Sequence, residues 1–71
     1  MEIIIKEFNS GNKFVHISIV QDYAGHKLYK VISGHIQDIE KNLAVIDKKM
    51  IYNAPQPARN CFYRYKKECE D

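Results

Sequence analysis

The residues of this chain best suited by type and spacing to chemistry are aromatic and cationic and lie near its C-terminus. Tyr63 and Tyr65 alternate with Arg64 and Lys66, and Arg59 and Lys67 stand beside them. A strand of this kind can stack bases and track phosphates, so it is a candidate nucleic-acid surface. The same pattern is what an edge strand shows when one face packs on the core and its lysines guard the edge against aggregation. Ser33-Gly34-His35 sets a hydroxyl beside an imidazole. Neighbours at i and i+2 are common where a strand meets a helix, and the pair is read as such a junction rather than as a nucleophile and base. His16 on the polar face of a strand and His26 in a turn are read as solvated.

The chain has no GxSxG, no HExxH and no phosphate-cradling glycine loop, and its 3 glycines read as turn residues. No enzyme is expected. Cys61, Cys69, His16, His26 and His35 form no paired CxxC or HxxxH spacing, so neither a metal nor another cofactor is expected. Cys61 and Cys69 would be separated by about 26 Å along a strand or about 12 Å along a helix, and a disulfide needs Cα atoms within about 7 Å. Only a tight turn could bridge them, and both are read as cytosolic thiols.

The elements that must position these residues follow from hydrophobic periodicity. Glu2 to Phe8 and Phe14 to Gln21 are rich in β-branched and aromatic residues around the turn cluster Asn9-Ser10-Gly11-Asn12, which predicts a hairpin. Val15, Ile17 and Ile19 alternate with His16 and Ser18, giving one buried face and one wet face. Asp22-Tyr23-Ala24-Gly25 supplies a second turn, and Leu28 to Ile32 a third strand ended by Ser33-Gly34. From there Ile36, Ile39, Leu43, Ile46 and Met50 recur at helical spacing, which predicts a helix within about residues 35–52 with Ser33 or Asp38 as its cap. Pro55-Gln56-Pro57 reads as an extended connector, Cys61 to Lys66 as a final edge strand, and about residues 67–71 as a frayed tail. The expected fold is α+β: an antiparallel sheet of three to four strands in the order β-β-β-α-β, with one amphipathic helix packed on it.

The chain of 71 residues makes a single domain, 1–71. A chain this short removes only about 60% of its unfolded surface from water, so its core is marginal and a symmetric dimer is expected to complete it. No apolar stretch reaches the roughly 18 residues of a membrane span, and the apolar run at the N-terminus precedes its first positive charge, so a cytoplasmic protein is expected. The formal net charge of +2 is uneven: residues 1–47 carry 5 lysines against 6 acids, and residues 48–71 carry 6 cations against 3 acids. The predicted helix has an apolar band, Ile36 to Ile51, wider than one sheet contact needs, flanked by Asp38, Glu40 and Asp47. Part of that band is expected to meet a second copy or a partner.

Gln21-Asp22 followed by Gly25, then Tyr29, Gly34 and Asp38-Ile39-Glu40, is an order of features that resembles the short phage inhibitors of uracil-DNA glycosylase carried by podophages with protein-primed replication. The resemblance covers about residues 16–46 with one single-residue gap between Gly34 and Asp38. It implies a small non-enzymatic homodimer of sheet and helix whose carboxylate-rimmed apolar pocket mimics DNA. Such a pocket captures the apolar side chain that the host glycosylase inserts into the minor groove during base flipping. Carried onto this chain, Glu40 is the acidic contact, Ile39 stands for a helix aromatic, Leu43 for a pocket wall and Tyr29 for a support from the sheet, with Asp38 and Ile36 beside them. The chain departs from the family in being slightly basic, in Lys30 where a strand carboxylate is expected, and in its N-terminal strand and Cys61 to Asp71 segment. Two other readings stand beside this one: a nucleic-acid-binding domain using Tyr63, Arg64, Tyr65 and Lys66, and a different anti-defence or regulatory partner protein.

Overall fold

A computed structural model describes residues 2–70. Four strands, β1 (Glu2–Ser10), β2 (Lys13–Gln21), β3 (Lys27–Asp38) and β4 (Leu43–Tyr52), form one antiparallel sheet in the order β1-β2-β3-β4. Among the described residues a single helix, α1 (Pro55–Glu70), follows the sheet and packs across one face. The α+β class, the antiparallel sheet and the single helix are as the sequence predicts. The order is β-β-β-β-α, not β-β-β-α-β.

Each turn has a local cause. Ser10 pairs with Lys13, leaving a two-residue loop in which Gly11 takes φ 60°, the positive angle that the first position of a tight hairpin turn requires. At the second turn the Asp22 carboxylate accepts hydrogen bonds from the amides of Ala24 and His26 at 3.0 and 2.8 Å. At the third, Asp38 accepts from the amides of Glu40 and Lys41, and Asn42 adopts φ 56°. Asp38 therefore caps a turn rather than a helix.

The segment expected as a helix, 35–52, is the end of β3, a hairpin turn and β4. Two irregularities explain the misleading spacing. The β3–β4 register shifts between Ser33 and Gly34 and again between Ile36 and Asp38, and each added residue reverses which side chains share a face. Ile36, Ile39, Leu43, Ile46 and Met50 consequently lie on both faces and a turn instead of along one stripe. Leu28 to Ile32 is also only part of its strand, because β3 runs on through Ser33-Gly34, opposite a bulge at Asp47 of β4.

The expected edge strand, Cys61 to Lys66, lies inside α1. Pro55 and Pro57 do not hold an extended connector. They occupy the first helical turn, where a backbone N–H would have no partner within the helix and the fixed φ of proline suits the helix start. Helix then continues to Glu70 through most of the segment expected to fray; Asp71 lies outside the described residues.

The core lies between α1 and the sheet. Val15, Ile17 and Val31 meet Ala58, Cys61, Phe62, Tyr65 and Cys69, whose spacing is that of one helix face. Phe8, Tyr29 and Tyr52 pack around them. Both cysteines are free thiols, buried two helical turns apart.

Candidate interaction surfaces

Antiparallel register and side-chain alternation assign the sheet's two faces. Val15, Ile17 and Val31 look toward α1, so their neighbours His16, Ser18 and Ile32 look away. The face without a helix consists of cross-strand rows. Glu2, Val20 and Leu28 form the first, Ile4, Ser18, Lys30 and Ile51 the second, and Glu7, His16, Ile32 and Lys49 the third. Asn9, Phe14, Gly34 and Ile46 form the fourth, and Ile36 opposite Ala44 ends the series. Ile4, Ile46 and Ile51 are more than half exposed there, and no helix covers them. Ser18, expected on a wet face, is fully buried: its hydroxyl donates to Glu2 at 3.0 Å, and Glu2 is also paired with Lys30. The Lys30 contact, with the Ser18 bond behind it, holds the Glu2 carboxyl below its ordinary range.

Gly34 has a packing reason to be glycine. A Cβ there would collide with the carbonyl oxygen of Val45 and stand 2.8 Å from the Phe14 ring. Because the site is bare, Phe14 lies over the strand and stacks on His16, with ring centres 5.8 Å apart.

The opposite side of the molecule is cationic. α1 carries four cations, Arg59, Arg64, Lys66 and Lys67, against Glu68 and Glu70. Lys6 of β1 donates to the hydroxyl of Tyr63, and Lys66 lies 5.0 Å from the centre of the Phe8 ring. Between β1 and α1 is a cleft of about 350 Å³ lined by Ile5, Lys6, Ile17, Arg59, Phe62 and Tyr63. The Lys6 hydrogen bond and charge pull the Tyr63 phenol below its ordinary value, with smaller contributions from Arg59 and Lys66. Three cations thus act on one exposed ring.

The four C-terminal residues singled out from the sequence separate on the helix. Tyr63, Arg64 and Lys66 remain accessible to different degrees, and Tyr65 is buried. Burial, followed by the neighbouring Cys61 thiol, raises the Tyr65 phenol. The same thiol, and then desolvation, raises that of Tyr52. Tyr65 is therefore a core side chain and not a base-stacking platform. Lys6 and Arg59 complete the cluster. Arg59 was visible as part of the basic segment, but Lys6 lies 57 residues before Tyr63 and only the fold joins them.

The residues taken from the family resemblance divide as well. Asp38, Ile39, Glu40 and Leu43 gather at the β3–β4 turn, where Ile39 is 80% exposed. Ile36 sits just inside it on the uncovered face. Tyr29 packs against the core near the other end of β3, about 30 Å away along the strand. It does not support that turn. Ser33 and His35 lie on the helix side, where His35 Nδ1 is 2.9 Å from Asp47 Oδ2. Among the described residues no hydrogen bond joins the Ser33 hydroxyl to that imidazole, and no group of three His, Cys, Asp or Glu side chains could hold a metal ion. No helix among them is long and apolar enough to cross a membrane.

No protein-family model, curated protein or solved structure matches the chain.

Proposed function

We propose that this protein is a small non-enzymatic cytoplasmic domain that binds the phosphate backbone of nucleic acid with the β1–α1 cleft. The observation that carries the reading is the convergence of Lys6, Arg59 and Lys66 on Tyr63. Lysine and arginine there would neutralise phosphates and release counterions, and the Tyr63 ring, 44% exposed, offers a face to a base. Lys67 and Arg64 extend the positive surface along the helix. The uncovered sheet face is less suited to this role, because its two acids, Glu2 and Glu7, offset its two lysines, Lys30 and Lys49, and leave no net positive charge for a phosphate chain.

The test is a mobility or anisotropy titration with a labelled single strand and a labelled duplex at about 50 mM salt. Binding should fall steeply with added salt, and Arg59→Ala or Lys66→Ala should each reduce the slope by about one. No association of either probe at about 50 mM salt overturns the reading.

A second reading, inhibition of a host uracil-DNA glycosylase by DNA mimicry, is favoured by one observation. Ile39 is presented to solvent between Asp38 and Glu40, an apolar contact bracketed by carboxylates. The contact would be made by a hairpin turn instead of the helix implied by the family resemblance. A uracil-excision assay separates the two: cleavage abolished near equimolar protein and relieved by Glu40→Lys supports inhibition, and cleavage unaffected at large excess ends it.

A further inference from the structure

We propose that the uncovered face of the sheet is the interface of a homodimer, with a two-fold axis running parallel to the strands so that β1 of one copy lies over β4 of the other. The inference is independent of the nucleic-acid reading, since the β1–α1 cleft lies on the opposite side of the sheet.

The composition of the face argues for a protein surface against it. Two acids, Glu2 and Glu7, and two lysines, Lys30 and Lys49, balance in charge, and the rest is mainly apolar. Glu2 and Lys30 already pair within the protomer. Glu7 and Lys49 stand at opposite ends of one row, separated by His16 and Ile32, and among the described residues neither side chain has an ion-pair partner.

That row selects the occupant and its orientation. Two copies can close face to face about a two-fold axis in the interface plane, running either across the strands or along them. An axis across the strands through this row, the third of five, lays β1 on β1 and puts Glu7 against Glu7, and likewise Lys49 against Lys49. An axis along the strands lays β1 on β4, so Glu7 of each copy meets Lys49 of the other and the contact is made twice. Ile4 then lies over Ile51 and Ile51 over Ile4, because these also end a common row. Packed sheets normally rotate by about 30°, which displaces the outer strands by only a few ångströms and leaves the long lysine within reach. Four strands about 4.8 Å apart and about nine residues long cover roughly 600 Å² per copy. The total of about 1,200 Å² is the lower end of a stable interface, consistent with a dimer of moderate affinity.

Sedimentation equilibrium of the full chain without nucleic acid, across a micromolar concentration series, tests the proposal. The wild type should be a dimer. Glu7→Lys and Lys49→Glu should each weaken association by at least about tenfold, since either change places like charges together twice. The combined exchange, Glu7→Lys with Lys49→Glu, should recover most of the loss. Both positions are exposed, and circular dichroism of each variant checks that folding is intact. A monomeric wild type overturns the proposal, as does a dimer indifferent to both single changes or a double variant that shows no recovery.

Discussion

Lys6 on β1 donates to the hydroxyl of Tyr63 on α1, and its ammonium also stands 4.6 Å from the centre of the tyrosine ring. One side chain thereby ties an edge strand to the helix that covers the sheet. It also sets the electrostatic character of the cleft, because its positive charge favours the phenolate.

That relationship has a spectroscopic signature. Tyr63, whose phenol is lowered, should ionise before Tyr52 and Tyr65, whose phenols are raised, as pH rises. Lys6→Met should return the Tyr63 phenol toward the ordinary tyrosine range, and Tyr63→Phe should remove its transition. Ultraviolet absorbance during alkaline titration checks both. An unchanged curve for Lys6→Met would show that the hydrogen bond does not govern the phenol.

Gly34→Ala should destabilise the fold by about 1–3 kcal/mol, the usual cost of adding volume where neighbours cannot retreat. The Val45 carbonyl is backbone and the Phe14 ring lies close on the other side. Truncating Phe14 to alanine relieves only the ring contact, so the Gly34→Ala penalty should persist in that background. Urea denaturation midpoints measure it. A vanished penalty would place the whole collision on the ring.

Glu2 couples the fold to acid. Its folded pKa is depressed, first by the Lys30 contact and then by the Ser18 hydrogen bond, so it contributes stability above its unfolded value. That contribution is lost as pH falls through the folded value, within the acid range below about pH 4.3. Wild type should therefore lose stability more steeply on acidification than Glu2→Gln. Unfolding midpoints of the two proteins at several acid pH values are the comparison, and parallel curves would exclude the coupling.

How far the fold was legible follows from where local period and tertiary demand agree. In β2, Val15 and Ile17 alternate with His16, and the buried and uncovered faces match that pattern. In β3 and β4 the two register shifts break the period of two into steps resembling a helix, and nothing local to Ile39 or Leu43 marks the turn between them except Asp38 and Asn42. The real helix was hidden by the opposite error. Tyr63 and Tyr65 alternate with charges as in a strand, whereas the signal lay in Ala58, Cys61, Phe62, Tyr65 and Cys69. Pro55 and Pro57 resembled an obstacle and are instead its first turn. The cationic half of the site was legible as composition, but the pairing of Lys6 with Tyr63 is a product of topology.

The two assignments of residues 36–50 imply opposite costs for one substitution. In a helix packed by the stripe Ile36, Ile39, Leu43, Ile46 and Met50, Ile39 would lie on the packed face, and a buried carboxylate there would unfold so small a domain. At a hairpin turn, 80% exposed, Ile39→Asp should change stability by no more than about 0.5 kcal/mol. Phe62→Ala supplies the contrast, because that ring is the largest fully buried side chain and its loss should cost about 3–5 kcal/mol. A penalty of that size consumes much or all of the stability of a chain of 71 residues, so this variant should be largely unfolded. Chemical denaturation of Ile39→Asp and the circular dichroism of Phe62→Ala measure the pair. Severe loss at Ile39 with tolerance at Phe62 would reverse the assignment of core and turn.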